Sequence, residues 1–358
     1  CTLAAAVSPS AQITTIEGLA SSDGLDVVQD AFDRCGALQC GFCQSGMMLS
    51  TRALLNEVQN PSDDDIRRAL SGNLCRCTGY TQIFEAVRLA SEMERGVEVP
   101  HAPGAAEGFQ VLGGRHRKAD GHLKATGTAI YADDIQPARM LHGKILRSPH
   151  AHAEIVSIDT QKALALQGVF AILTGQALPT LYGVIPWTQD EQAMCTDRVR
   201  FVGDEVAAVV AIDEETALTA IDLIEVNYRI LPAVMTPQAA LDPEAPLLFP
   251  GRRNGNLTKA VNLSFGDVEL AAANAFAVVE GDYFFEGTAH APIEPHCVLA
   301  EFDARGLLTV TSSTQIPHYV HRCLARVLEI PADSIRVIQP ALGGAFGGKS
   351  DPFGHEII

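Results

Sequence analysis

No apolar run in the 358-residue chain approaches the ~20 residues that a membrane-spanning helix needs, because Asp, Glu, Gly or Pro interrupts each candidate stretch. Basic residues are also short: 26 Lys and Arg stand against 43 Asp and Glu, a formal net charge of -17 that repels phosphate backbones and anionic lipid surfaces. Neither a nucleic acid nor a membrane span is expected. Nine cysteines are too few for a disulfide scaffold, and no fixed-period repeat is visible. What is present, 47% hydrophobic and 19% charged residues over this length, suits two or three cored domains and excludes a disordered tail. Cys1 stands where a start would have Met, and Ile358 falls inside an apolar stretch that has barely begun, so both ends are expected to lie within a longer protein. Five of the nine cysteines lie between Cys35 and Cys77, which suggests a local metal site in a reducing compartment. A cytoplasmic location is therefore expected, with a periplasmic one left open by the missing start.

Helical signals fill residues 23–96. Leu25, Val28 and Phe32 share a face ahead of Gly36, a second helix spans about 44–58, and Ser62-Asp63-Asp64-Asp65 supplies a cap and acidic first turn before Ile66 and Leu70. A fourth helix runs from about Thr81 to Arg95, closed by Gly96. Pro100, Pro103 and Gly104 mark a connector. Beyond it, 141–158 and 199–212 read as strands and Glu214 to Val226 as a helix, giving a mixed α/β unit. A third unit is expected from near Asn256, with strands at 276–286, 298–303, 307–312 and 335–339 and a helix at about 319–328.

Cys40-Gly41-Phe42-Cys43 and Cys75-Arg76-Cys77 are a CxxC and a CxC separated by 31 residues, each at a helix end. Four soft thiolates suit zinc or a 2Fe-2S cluster, and the chemistry alone leaves both open. Cys35, Cys195, Cys297 and Cys323 read as small core residues.

The run Cys40-Gly41-Phe42-Cys43-Gln44-Ser45-Gly46-Met47, followed by Leu70-Ser71-Gly72-Asn73-Leu74-Cys75-Arg76-Cys77-Thr78-Gly79-Tyr80, resembles the helical 2Fe-2S domain of the xanthine oxidase family of molybdenum hydroxylases. The resemblance implies that Cys40, Cys43, Cys75 and Cys77 ligate one cluster. Cys1-Thr2-Leu3-Ala4 is similar to the end of the plant-type ferredoxin domain that precedes it in the family, which implies that Cys1 belongs to a second, partial cluster site.

Gly343-Gly344-Ala345-Phe346-Gly347-Gly348-Lys349-Ser350 satisfies the GxxxxGKS expression of a phosphate-binding loop and follows a plausible strand. Pro340 and the Asp351-Pro352-Phe353-Gly354 continuation oppose that reading, because no helix N-terminus follows to face the phosphates. The same residues resemble the Gly-Gly-x-Phe-Gly-Gly-Lys loop of the family's molybdenum-binding domain, and Ser313-Thr314-Gln315-Ile316-Pro317 resembles its Thr-Gln-x-Pro segment. By that resemblance Gly344, Phe346 and Gly347 approach a molybdenum-pterin cofactor, in its cytosine dinucleotide form, and the Gln315 amide donates toward the metal centre. His150 and His152 read as packing or surface residues, and His290, Glu294 and His296 are assigned no chemistry.

The fold class that follows is multidomain: an all-α four-helix 2Fe-2S domain, an α/β hammerhead-like domain, and the start of an α+β molybdenum cofactor-binding domain. The expected boundaries are 1–12 for the ferredoxin end, 13–95 for the helical domain, 96–110 for the linker, 111–242 for the hammerhead and 255–358 for the cofactor domain. The resemblance implies hydroxylation of an aromatic heterocycle or aldehyde with oxygen from water, electrons leaving through 2Fe-2S clusters, and a base glutamate beyond Ile358. The fragment by itself is then expected to be inactive. The connector is too short for a flavin domain, so FAD is expected on a separate subunit, unless another acceptor is used. A small-molecule substrate and a dimer are expected too. Other stretches, including Gln315 to His321, are similar to the large subunit of 4-hydroxybenzoyl-CoA reductase, which leaves reductive dehydroxylation as an alternative. From a different class, a zinc-stabilised interaction module or a P-loop nucleotide-binding protein are the rivals.

Overall fold

Two capping boxes start two of the helices. Ser62 Oγ accepts from Asp65 N at 3.3 Å while the Asp65 carboxylate accepts from Ser62 N at 3.0 Å. Asp26 does the same with Gln29, accepting from Val28 N and donating its own N–H to Gln29 Oε1. These boxes open the helices Asp63–Leu70 and Val27–Arg34, while Gln44–Glu57 and Thr81–Glu94 begin without a side-chain cap. The computed structural model describes residues 12–22, 24–99, 108–114, 116–185, 188–252 and 254–358. Cys1, the ferredoxin end and most of the connector lie outside them.

Contacts divide the chain into two units that do not follow chain order. One takes the described residues up to Gln136 together with His290–Pro317 and Arg336–Ser350; the other takes Pro137–Ala289, His318–Ile335 and Asp351–Ile358.

The first unit buries Val28, Phe32, Met47, Met48, Ile66, Ile83 and Val87 in one helical core. These residues recur at helical spacing, so each helix turns one stripe inward. Gln29 is fully buried and its Nε2 donates to Ile16 O at 3.2 Å and Ala125 O at 2.9 Å, tying both flanking segments to the core. Arg117 pairs with Asp30 and Asp33, and Lys124 Nζ donates to Gln39 O, so residues 116–136 pack on the helical core. Val298–Phe302 and Leu308–Ser312 form an antiparallel pair, with Ile335–Ile338 on the far side of the latter.

In the second unit, β1 (His142–Arg147), β2 (Ala153–Asp159), β3 (Val169–Thr174), β4 (Arg198–Val199), β5 (Glu205–Ala211) and β6 (Glu225–Ile230) form two sheets, ordered β1-β5-β3 and β4-β2-β6. Val206, Ala207, Val209 and Ala211 of β5 are buried, as their unbroken apolar run predicts. The helix Glu214–Asp222 packs over this sheet and is capped by Asp213, which accepts from Thr216 N at 2.7 Å.

Several expected elements are corrected. The run 141–158 is two strands with a turn, because Ser148 and His150 bond to one another in a tight reversal. The run 199–212 is likewise split by a turn in which Arg200 N donates to the Asp204 carboxylate. The helix expected to reach Val226 stops at Asp222, and Val226, Tyr228 and Ile230 instead alternate along β6 against β2. The strand expected at 276–286 does not form: Phe276, Val279, Tyr283, Phe284 and Phe285 are exposed, and no described strand lies beside them. A strand needs a partner edge for its amides and carbonyls, and propensity alone does not supply one. Among the described residues, no helix is long and apolar enough to cross a membrane.

Candidate functional site

Cys43 is the N-cap residue of the helix Gln44–Glu57, and Cys40 precedes it across a tight turn. The turn needs Gly41, whose φ is +89° and whose added Cβ would stand 2.6 Å from Lys124 Cγ and from Tyr131 Oη. Tyr131 Oη donates to Cys40 O at 2.8 Å, and its ring meets Phe42 edge-on at 5.1 Å. The second loop is shaped by Tyr80, which sits at φ +68°; its hydroxyl accepts from Cys75 N at 2.9 Å and donates to Asn73 O at 3.1 Å.

The structure brings together all four cysteines predicted from the spacing. Cys43 neighbours Cys75 and Cys40 neighbours Cys77 within hydrogen-bonding reach, so the thiols meet as two pairs. Among the described residues no three metal-ligating side chains gather around one point. Two pairs of sulfurs fit a two-iron cluster, which takes four thiolates in all. A hydrogen bond with Cys75, then burial, pushes the Cys43 thiol up; burial, with Cys77 beside it, pushes Cys40 up to about 12. The bond from Cys43 and another from the Thr78 hydroxyl pull Cys75 down to about 5. A metal bound here would displace protons from the raised thiols, as metal binding to cysteine requires. Gln44 Nε2 also donates to Cys43 Sγ at 3.7 Å, and hydrogen bonds to cluster sulfurs are one of the protein's levers on potential. Cys35 lies at the C-cap of the helix Val27–Arg34, and Cys195 and Cys323 are buried.

The glycine-rich loop lies in the same unit as the four cysteines. Gly344, Phe346 and Gly347 all have positive φ, +95°, +55° and +88°, and Phe346 holds a conformation uncommon outside glycine. Gln315 and Phe346 are exposed with Gly347 between them in the fold: Gly347 N donates to Gln315 Oε1 at 3.1 Å. That bond fixes which end of the amide faces inward and leaves the Gln315 NH₂ as a neutral donor on the exposed side. The donor set suits an oxygen-rich, electron-accepting group, so the residues present fit a molybdenum-pterin cofactor.

Two contacts join the cluster loops to this loop. The Phe42 ring packs on Gly343, and Arg76, between two of the cysteines, donates from Nε to His290 O at 3.3 Å while the His290 ring packs on Gly348. Lys349 is 1% exposed and its Nζ donates to Glu294 Oε2 at 2.8 Å. An ammonium sequestered in this way is not presented to a phosphate, which removes the basis of the P-loop reading. Glu294 is the residue that sequence reasoning missed. Its signal was indirect: a glutamate 55 positions before a lysine in a glycine loop has no recognisable spacing. His150 stacks edge-on to Tyr228 at 4.8 Å and His152 Nδ1 lies 2.8 Å from Pro232 O, both packing roles.

Residues 15–88 match the family profile described as a [2Fe-2S] binding domain. Residues 126–232 match the aldehyde oxidase and xanthine dehydrogenase a/b hammerhead domain, and 249–358 the molybdopterin cofactor-binding domain. The chain is 30% identical, over 99% of its length, to a probable hypoxanthine oxidase of Escherichia coli O157:H7, and covers 41% of that protein. It is 30% identical over 98% of its length to an aldehyde oxidoreductase of Megalodesulfovibrio gigas, covering 40% of it. Among solved structures, the aldehyde oxidoreductase from Desulfovibrio gigas superposes with a TM-score of 0.83 at 30% identity, over 96% of this chain and 40% of that one. The chain thus spans about two fifths of the length of these relatives.

Proposed function

Because this chain belongs to the xanthine oxidase family of molybdenum hydroxylases, we propose that it is the electron-wiring and cofactor-approaching part of a molybdenum-dependent oxidoreductase. The reaction is hydroxylation of an aldehyde or an electron-poor aromatic heterocycle, with water as the oxygen source. Both substrate classes are represented in the names of its relatives, an aldehyde oxidoreductase and a probable hypoxanthine oxidase. The single observation that carries the reading is the packing of Phe42, between Cys40 and Cys43, directly on Gly343 of the glycine loop. A cluster site and a cofactor loop in van der Waals contact make a short path for electrons.

The bound cofactor would supply the two-electron oxidation. This chain's own residues hold and orient it. Cys40, Cys43, Cys75 and Cys77 hold one 2Fe-2S cluster, and Gly344, Phe346 and Gly347 present backbone to the pterin. Gln315 donates its NH₂ toward the metal centre without adding charge there. Cys1 belongs to a second cluster, the pterin is in its cytosine dinucleotide form, and electrons leave to a flavin on a separate subunit.

The test is metal and cofactor analysis of the holoenzyme carrying this chain, joined to turnover with an aldehyde panel and an N-heterocycle panel. Expected are molybdenum, pterin and two irons at the Cys40 site, with the two irons and turnover lost when any of the four cysteines is replaced. One zinc with no pterin would overturn the reading. Release of the cofactor nucleotide by acid identifies its base.

A further inference from the structure

The buried glutamate beside the glycine loop has no role in the reading above, yet it holds both ends of that loop. Glu294 is 2% exposed. Its Oε2 accepts from Gly343 N at 2.7 Å and from Lys349 Nζ at 2.8 Å, and its backbone N–H donates to Gly343 O at 3.2 Å. Its Oε1 is buried without a hydrogen-bond partner, so the negative charge is answered at Oε2 alone.

The tether continues to the exposed face. Lys349 O accepts from Gln315 N at 2.8 Å, and Gln315 Oε1 accepts from Gly347 N at 3.1 Å. Glu294, the Lys349 side chain, the Lys349 carbonyl, Gln315 and Gly347 are therefore links of one chain of bonds. Shifting the Lys349 end of the loop shifts the Gln315 amide and the Gly347 N–H together. A buried ion pair is weak support for stability, since well-packed apolar replacements are often as stable. The arrangement makes better sense as a device that sets register.

We propose that Glu294, through Lys349, is a positioning residue that fixes the Gln315 NH₂ and the amides of Phe346 and Gly347 relative to the cofactor. The inference rests on the reading that loop 343–349 holds the molybdenum-pterin group. It concerns how accurately that group is held.

The experiment uses the holoenzyme with two replacements: Glu294→Gln, and Glu294→Met combined with Lys349→Met. The second removes both charges and the tether, keeps side chains of similar length, and leaves only the Gly343 N–H without its side-chain acceptor. Measured are molybdenum and pterin per subunit, the melting temperature, kcat and KM separately, and the molybdenum EPR signal of the reduced enzyme.

For the double variant, melting and cofactor content stay near wild type, KM stays within about threefold, kcat falls by about tenfold or more, and the molybdenum signal changes shape. Cofactor loss from a double variant that still melts normally supports the same role. Wild-type kcat and signal in the double variant would overturn it, whereas Glu294→Gln, which keeps a side-chain oxygen to accept both bonds, should lie between wild type and the double variant. A double variant that does not fold also overturns it, by showing the pair to be structural. Wild-type enzyme without pterin would instead defeat the proposal that loop 343–349 holds the cofactor, a result distinct from any change seen in the variants.

Discussion

The ring of Phe42 lies against Gly343 so closely that a Cβ on the glycine would stand 2.7 Å from Phe42 Cδ2 and 2.4 Å from Glu294 Cβ. The contact joins the Cys40-Gly41-Phe42-Cys43 turn to the glycine-rich loop 343–350. Neither side has room to give, because the Phe42 ring is held edge-on by Tyr131 and Glu294 by its buried bonds.

Gly343→Ala should therefore destabilise the first unit by about 1–3 kcal/mol, the range for overpacking a closed site. Combining it with Phe42→Ala should cost less than the two single losses added, because Phe42→Ala also removes one of the two clashes. Thermal denaturation of the single and double variants checks both statements. A Gly343→Ala protein as stable as wild type would show that the loop can slide.

Cysteine replacement should be selective. Cys75→Ser should remove the proposed cluster's visible absorbance and its EPR signal on reduction, because Cys75 pairs with Cys43 and would be one of the four ligands. Cys35→Ala should leave both intact, since Cys35 closes the helix Val27–Arg34 and belongs to neither of the two thiol pairs. Equal loss in the two variants would mean the helical core, not the ligand set, was disturbed.

Stability of the second unit should fall as pH rises toward and past neutrality. Burial, with the Asp351 carboxylate beside it, raises Glu191 from 4.5 to about 7. The folded state thus holds this proton more tightly than the unfolded chain does, so the protonated form's contribution is complete below about 4.5 and is lost as pH passes about 7. Glu191→Gln, which stays neutral, should raise the melting temperature more at pH 8 than at pH 5. An equal shift at both pH values would contradict the assignment.

Gln29→Leu should cost about 2–4 kcal/mol, because it strips the donor from two carbonyls, Ile16 and Ala125, in a fully buried position. Chemical denaturation of the two proteins gives the difference directly. A loss under about 1 kcal/mol would mean that water replaces the amide.

Much of the helical unit was legible from local chemistry. Ser62 and Asp65 cap one another within four residues, and Met47, Met48 and Leu54 mark one face of a helix, so those elements needed no distant partner to be recognised. The CxxC and CxC pairs were readable for the same reason, since each loop is short and its ligand spacing is set by the turn. The β elements were harder. The Val226, Tyr228 and Ile230 alternation was hidden behind a helix that was expected to continue, and residues 276–286 have strand-like composition with no described strand beside them.

By itself, then, the amino-acid order determined the four helices, the CxxC and CxC pairs at helix ends and the glycine loop, because caps, periodicity and tight turns act over a few residues. Only the tertiary structure decided that Cys43 meets Cys75, that Phe42 rests on Gly343, and that Lys349 turns inward to Glu294 and not outward to an anion. Those relationships join residues tens to hundreds of positions apart. They depend on which surfaces exclude water together, and burial of that kind is a property of the packed chain that no short window of sequence contains.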